Sequence, residues 1–151
     1  MRSVPVLILP LLLGLSACGA PDTPGQRVAN ARHAGFEAIG DAFKDATDEL
    51  KDPAPNLGEL RVAAATINGL APKVSTWFAK GSGPQDGVRT DALPAVWQKP
   101  AEFRQATERL VAAAASFHAS AEAGELAAMR EAAKGLGGAC KQCHEGFREK
   151  D

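Results

Sequence analysis

The sequence predicts an all-α fold, an antiparallel four-helix bundle, and three observations carry that prediction. Apolar residues recur at steps of three and four in four separate stretches. Those stretches are joined by a short, a long and a short connection, which suits antiparallel neighbours with one longer crossing. No strand-like alternation of apolar and polar residues competes, and alanine, the strongest helix former, is abundant. At 151 residues the chain fits one domain with a single core.

The first element lies outside the bundle. Arg2 precedes the apolar run Val4 to Leu15, which Pro5, Pro10 and Gly14 interrupt. A membrane-spanning helix needs about 20 apolar residues, so this run is too short to cross. A basic start, an apolar middle and small residues at the end make residues 1–17 a secretory signal peptide. A buried strand or helix is the alternative, disfavoured by two prolines so close to the N-terminus. Leu15-Ser16-Ala17-Cys18 resembles a bacterial lipobox (15–18), which implies cleavage before Cys18 and attachment of lipid to it. The alternative is ordinary cleavage near Ala20 with Cys18 incidental. A stray thiol is a liability in an oxidising compartment, and lipidation would account for this one. In such lipoproteins a glycine after the cysteine, here Gly19, implies a periplasmic protein tethered to the outer membrane. A soluble periplasmic protein is the alternative. The Pro/Gly-rich residues 18–25 read as a flexible tether, and residues 26–151 as the bundle.

The first helix is expected from about Gln26 to Lys51. Its stripe is Val28, Phe36, Ile39, Phe43, Ala46 and Leu50, with Arg32 on the same face. Asp52-Pro53-Ala54-Pro55 ends it, because proline lacks an N–H and clashes with the preceding turn. The second is expected from about Leu57 to Phe78, along Leu57, Leu60, Ala64, Ile67, Ala71, Val74 and Phe78. Pro72 falls inside it and predicts a kink or restart. The long connection, 79–99, is Gly-rich early and carries Trp97 late, which reads as a loop anchor in the core. The third helix begins near Pro100, a good first-turn residue, and runs along Phe103, Leu110, Ala114, Phe117 and Ala121. The fourth is expected from about Gly124 to Lys150, along Leu126, Met129, Ala133, Leu136, Cys140, Cys143 and Phe147.

Charge excludes one class of partner. The formal net charge is −1 and the charged residues are interspersed, so no nucleic-acid surface is implied.

Chemistry concentrates in Cys140-Lys141-Gln142-Cys143-His144. A thioredoxin-like redox pair would sit at a helix start near a βαβ pattern, and this pair lies deep in the last helix of an all-helical chain. A structural zinc site needs four ligands, and only Cys18, His33 and His118 remain as candidates. Cys-x-x-Cys-His is also the attachment signature of c-type haem. Residues three apart on a helix share a face, so both sulfurs can reach the two vinyl groups at one edge of a porphyrin. His144 projects from nearly the same face and can ligate the iron axially. All three are expected on the stripe that faces the bundle interior. One haem c, held by Cys140, Cys143 and His144, is the reading that spacing, export signal and helix face share.

From Gln26 to Lys150 the chain resembles the cytochromes c′, the class II cytochromes c. The likeness rests on the C-terminal Cys140-Lys141-Gln142-Cys143-His144-x-x-Phe147-Arg148 and on Ala92-Leu93-Pro94-Ala95-Val96-Trp97 before the third helix. Gly81-Ser82-Gly83-Pro84 and Ala123-Gly124-Glu125 match as well. The resemblance implies a four-helix bundle, often a homodimer, with a five-coordinate haem and an apolar distal side. It puts Arg32 near the haem, Phe36 at the open face of the iron, Ser82 and Gly83 near the cofactor, and Arg148 beside His144. Arg148 alternatively reads as a surface charge favourable to the helix dipole.

A low-spin, electron-transferring relative would carry methionine at position 36. Met129 lies fifteen residues before His144 on the same helix, about 22 Å along the axis, so it cannot cap the other side of the iron. Phe36 has no lone pair to offer. His33 falls about a quarter-turn from the Phe36 and Ile39 direction, on the flank of the buried stripe, and is the one rival ligand. His118 is expected to be exposed. A vacant, apolar site favours neutral diatomics: nitric oxide, with carbon monoxide admitted according to distal bulk. Capture of nitric oxide against nitrosative stress is therefore the leading expectation, and a periplasmic electron carrier with its own donor is the alternative. Enzymatic turnover, as peroxidase or nitric oxide consumer, is left open because of Arg32.

Overall fold

A computed structural model describes residues 22–150. The leader, the lipobox and Cys18 lie outside the described residues. Four long helices form an antiparallel bundle: α1 (Pro24–Glu49), α2 (Leu57–Leu70), α4 (Pro100–Ala123) and α5 (Leu126–Phe147), with a one-turn helix α3 (Ala95–Gln98) in the long connection. Helix α1 packs on α2, α2 on α4, and α4 on α5.

Helix α1 begins two residues earlier than its apolar pattern. Pro24 takes the first position, for which its fixed φ is suited, and the Thr23 hydroxyl accepts from Gln26 N at 3.1 Å. Pro24 and Gly25, assigned to the tether from sequence, are thus helical. Gly25 has a packing reason to lack a side chain, because a Cβ there would collide with the Gly81 carbonyl. The first turn of α1 is in this way seated on the long connection.

Pro72 ends α2 as a regular helix. The chain continues as a 3-10 helix, Ala71–Thr76, and not as α-helix to Phe78. The stripe nevertheless holds, with Leu60, Ala64, Ile67, Ala71 and Val74 buried and its end members Leu57 and Phe78 half-buried. In the long connection Trp97 is half-buried, and its indole N–H donates to the carbonyls of Phe78 (3.2 Å) and Ala79 (3.3 Å). It anchors the loop as expected, at the edge of the core.

Helix α4 buries its whole predicted stripe and ends on Gly124 at φ 75°, the left-handed cap that glycine tolerates. Helix α5 stops at Phe147, three residues before the expected end. Arg148 is extended (φ −119°, ψ 142°), and the chain there pairs with the long connection through Leu93 N to Phe147 O (2.9 Å) and Glu149 N to Asp91 O (2.7 Å). Phe117, Leu60, Ile67, Met129 and Leu136 are fully buried at the centre. Each such side chain contributes about 1.5–3 kcal/mol. Met129 is spent on this core. Toward its C-terminal end α5 leaves the core, and a gap opens where it faces α1.

Candidate functional site

That gap is a cavity of about 730 Å³, within the range of about 300–1,000 Å³ usual for small-molecule and cofactor sites. Helix α5 supplies one wall with Cys140, Cys143, His144 and Phe147. Helix α1 supplies another with Arg32, His33, Phe36 and Ile39. Val74, Phe78, Phe103 and Leu110 line it with apolar side chains, and Arg89 to Ala92 border it from the long connection. Residues more than a hundred positions apart therefore share one space.

Cys140 and Cys143 are half-buried free thiols. Burial pushes both thiol pKa values up, helped at Cys143 by the neighbouring Cys140, so both remain protonated near neutral pH. The expectation that all three motif residues face the interior needs correction. His144 stands at the cavity rim, with its outer side in solvent. Four residues advance a helix by about 400°, so His144 is offset from Cys140 away from Cys143. Desolvation on its inner side, and then the Arg148 charge, hold its pKa below the usual histidine value. The imidazole is therefore neutral near pH 7, the form that binds metal. Two thiols and one neutral imidazole on one wall of an apolar cavity fit a covalently attached haem. Among the described residues no three His, Cys, Asp or Glu side chains gather as a metal cluster.

Phe36 lies in the wall that α1 contributes. Its ring meets Trp77 edge-on (centroids 5.2 Å apart, planes at 87°) and Phe78 at a tilt (6.1 Å). Further edge contacts run from Phe78 to Phe103 (4.8 Å) and from Phe103 to Phe147 (5.2 Å). The cavity is thus backed by a continuous set of aromatic rings.

Arg32 is buried, at 4% exposure, and its partners are neutral. It donates to Ser82 Oγ (3.2 Å), Ser82 O (3.2 Å), Thr90 Oγ1 (2.8 Å) and, more weakly, Trp77 O (3.4 Å). The guanidinium also lies 4.6 Å from the Phe78 ring centroid and 5.8 Å from that of Trp97. Burial lowers its pKa from the ordinary arginine value. Arg32 therefore borders the cavity while its terminal nitrogens tie α1 to the long connection. Ser82 is fully buried, and its hydroxyl also donates to Ala79 O at 2.7 Å. Gly83 N donates to the Asp86 carboxylate at 3.2 Å. Ser82 and Gly83 stand behind Arg32 and outside the cavity wall.

His33 is exposed at the cavity edge, 3.3 Å from the Glu37 carboxylate. His118 is half-buried on α4, 3.8 Å from Glu122, and less exposed than the sequence implies. Arg148 lies just past the end of α5, 3.8 Å from the Asp91 carboxylate, and borders the cavity. Sequence reasoning missed Trp77 as part of the site's support and Arg89 to Ala92 as its border. Arg89 to Ala92 lie in a connection without periodicity, so no pattern marked them, and Trp77 is not among the stripe residues of the expected second helix.

The family model described as Cytochrome C′ matches residues 27–148. The chain is 32% identical over 154 residues to cytochrome c-554 of Cereibacter sphaeroides, with all of both chains covered. It is 33% identical over 130 residues to cytochrome c′ of Rubrivivax gelatinosus, covering 84% of this chain and 97% of that one. A solved nitric oxide complex of a cytochrome c prime variant from Alcaligenes xylosoxidans superimposes with a TM-score of 0.75 at 24% identity, over 83% of this chain and 97% of that one. The last of these speaks for the fold.

Proposed function

Because the chain belongs to the cytochrome c′ family, whose proteins carry covalently attached haem c, we propose that it is a periplasmic haem protein that captures nitric oxide at a vacant, apolar distal site and limits nitrosative stress. Carbon monoxide is admitted according to the room beside Phe36. The single observation carrying this reading is that Phe36, a residue without a lone pair, lies in the α1 wall of the cavity whose α5 wall holds His144.

A haem held in this cavity would supply an iron able to take a neutral diatomic. The chain supplies everything that makes the position selective. Cys140 and Cys143 would hold the porphyrin covalently to α5, and neutral His144 would be available to ligate its iron. Phe36, Phe78 and Phe103 exclude water and offer no hydrogen bond. Dioxygen in a haem pocket depends on such a donor, whereas nitric oxide and carbon monoxide depend on it less. Arg32 is poorly placed to assist peroxide cleavage, because its terminal nitrogens are committed to Ser82, Thr90 and Trp77.

The test is a comparison of gases on reduced protein. Nitric oxide should saturate at one equivalent per chain, and air without nitric oxide should give no stable oxygenated spectrum. A persistent oxygenated spectrum would refute the selectivity argument. A second reading, a periplasmic electron carrier, draws on His33 at the cavity edge; its exposure and its contact with Glu37 weigh against ligation.

Attachment rests on Cys140 and Cys143. Replacing both with serine should release the haem into acid–organic solvent, while wild type keeps its colour in the protein fraction. We further assign residues 1–17 as leader and Cys18 as a lipid anchor to the outer membrane, on the strength of Leu15-Ser16-Ala17-Cys18. Labelled fatty acid should enter wild type and not Cys18→Ser; equal labelling of both would remove the anchor. The family resemblance also implies a homodimer.

A further inference from the structure

We infer that Trp77 is a positioning residue that sets which diatomic enters, by locking Phe36 in place from behind. The inference rests on the vacant-site reading above and goes further, to the residue that controls the room at that site.

Trp77 stands behind Phe36, outside the residues that line the cavity, so it touches no ligand itself. Its ring meets Phe36 edge-on at 87° with centroids 5.2 Å apart, the arrangement aromatic pairs prefer. Phe78 borders Phe36 at 6.1 Å. Phe36 is thereby held between two rings, and any retreat from an entering ligand has to displace one of them.

The same arrangement explains Gly35. A Cβ on Gly35 would lie 2.6 Å from Cη2 of Trp77, 2.8 Å from Cζ2 and 2.9 Å from Cζ3, closer than real contacts allow. Only glycine lets the indole lie directly on the α1 backbone beside Phe36. The Trp77 main chain is fixed as well. Trp77 directly follows the 3-10 helix Ala71–Thr76, its backbone N–H donates to Val74 O at 3.2 Å, and its backbone carbonyl accepts from Arg32. Gly35, Phe36 and Trp77 thus form one packed unit, in which the ring facing the ligand is held by a ring that does not face it.

The consequence is selective. Carbon monoxide, which binds iron upright, would press on Phe36 more than nitric oxide, which binds bent and needs less room. Removing the Trp77 ring frees Phe36 to withdraw, so carbon monoxide should gain more than nitric oxide.

The experiment compares wild type, Trp77→Leu and Trp77→Phe as haem-loaded proteins. Carbon monoxide association is measured after flash photolysis, and the Phe36 side chain is located by crystallography. Trp77→Leu should speed carbon monoxide association by on the order of tenfold, the factor matching one lost aromatic pair, with Phe36 in a second rotamer. Trp77→Phe should restore most of the slow rate. Separately, Gly35→Ala should lower the melting temperature in wild type and cost little in Trp77→Leu, because the two positions are in contact. A purely structural Trp77 would change melting temperature and leave the carbon monoxide rate alone, and that outcome overturns the inference while leaving the vacant site intact. A low-spin wild type before any gas is added would overturn the vacant-site reading itself.

Discussion

Phe36→Met turns the unliganded protein from high-spin to low-spin and weakens nitric oxide binding on the order of 100-fold. Methionine is unbranched, flexible and close to phenylalanine in bulk, so it fits between Trp77 and Phe78 with favourable sulfur–ring contacts. What changes is a lone pair. A thioether on the α1 wall competes with every incoming ligand as part of the same molecule. If the internal ligand occupies about 99% of molecules, the apparent affinity for any gas falls by about 100-fold. Absorption and electron paramagnetic resonance spectra report the spin state, and a nitric oxide titration reports the affinity. Phe36→Leu is the control: similar bulk, no lone pair, and a spectrum that stays high-spin. A Phe36→Met protein that remained high-spin with undiminished affinity would show that residue 36 does not face the iron.

Arg32→Met lowers stability by about 2–4 kcal/mol, which for a chain of this size moves the melting temperature down by roughly 5–15 °C. The cost comes from what Arg32 leaves behind. Ser82 O and Oγ and Thr90 Oγ1 lose their donor, and Ser82 is fully buried. Part of that loss is offset, because a buried cation no longer needs to be desolvated. Arg32→Lys should recover little. One ammonium on a flexible stem cannot reach two residues of the long connection at once, nor stack flat on Phe78 as the planar guanidinium does. Thermal denaturation of the haem-loaded proteins measures both. A change below about 1 kcal/mol in Arg32→Met, the size of one ordinary hydrogen bond, would mean the loop is held by other contacts, such as the paired hydrogen bonds between Gln26 and Arg89.

The two variants separate what was legible in the sequence from what was not. The bundle follows from periodicity alone: the Phe103 to Ala121 stripe is buried residue for residue, and Pro72 interrupts its helix where the chain said it would. Cys140, Cys143 and His144 were readable because their chemistry sits in one short motif on one helix. Phe36 was found through the family resemblance and the absence of a usable methionine, and the cavity gathers it with the motif. Arg32 was legible as a residue near the site and illegible in its bonding. Its partners Ser82 and Thr90 lie fifty and more positions away in a loop, where no period announces a contact. The same holds for the early end of α5. Past Phe147 the chain leaves the helix, with Phe147 O accepting from Leu93 N and Glu149 N donating to Asp91 O, a competition between distant backbones that local sequence does not encode. Gly35 carries no mark in the periodicity, and only the indole lying on it gives the missing side chain a reason.

The central claim is that the iron has His144 on one side and no protein ligand on the other. The absorption spectrum of the reduced protein, recorded under inert gas, tests it most directly. The account predicts a broad high-spin spectrum typical of five-coordinate haem, which shifts once when carbon monoxide or nitric oxide is added. A sharp low-spin spectrum before any gas is present, converted to high-spin by His33→Ala, would contradict it and would make His33 the sixth ligand.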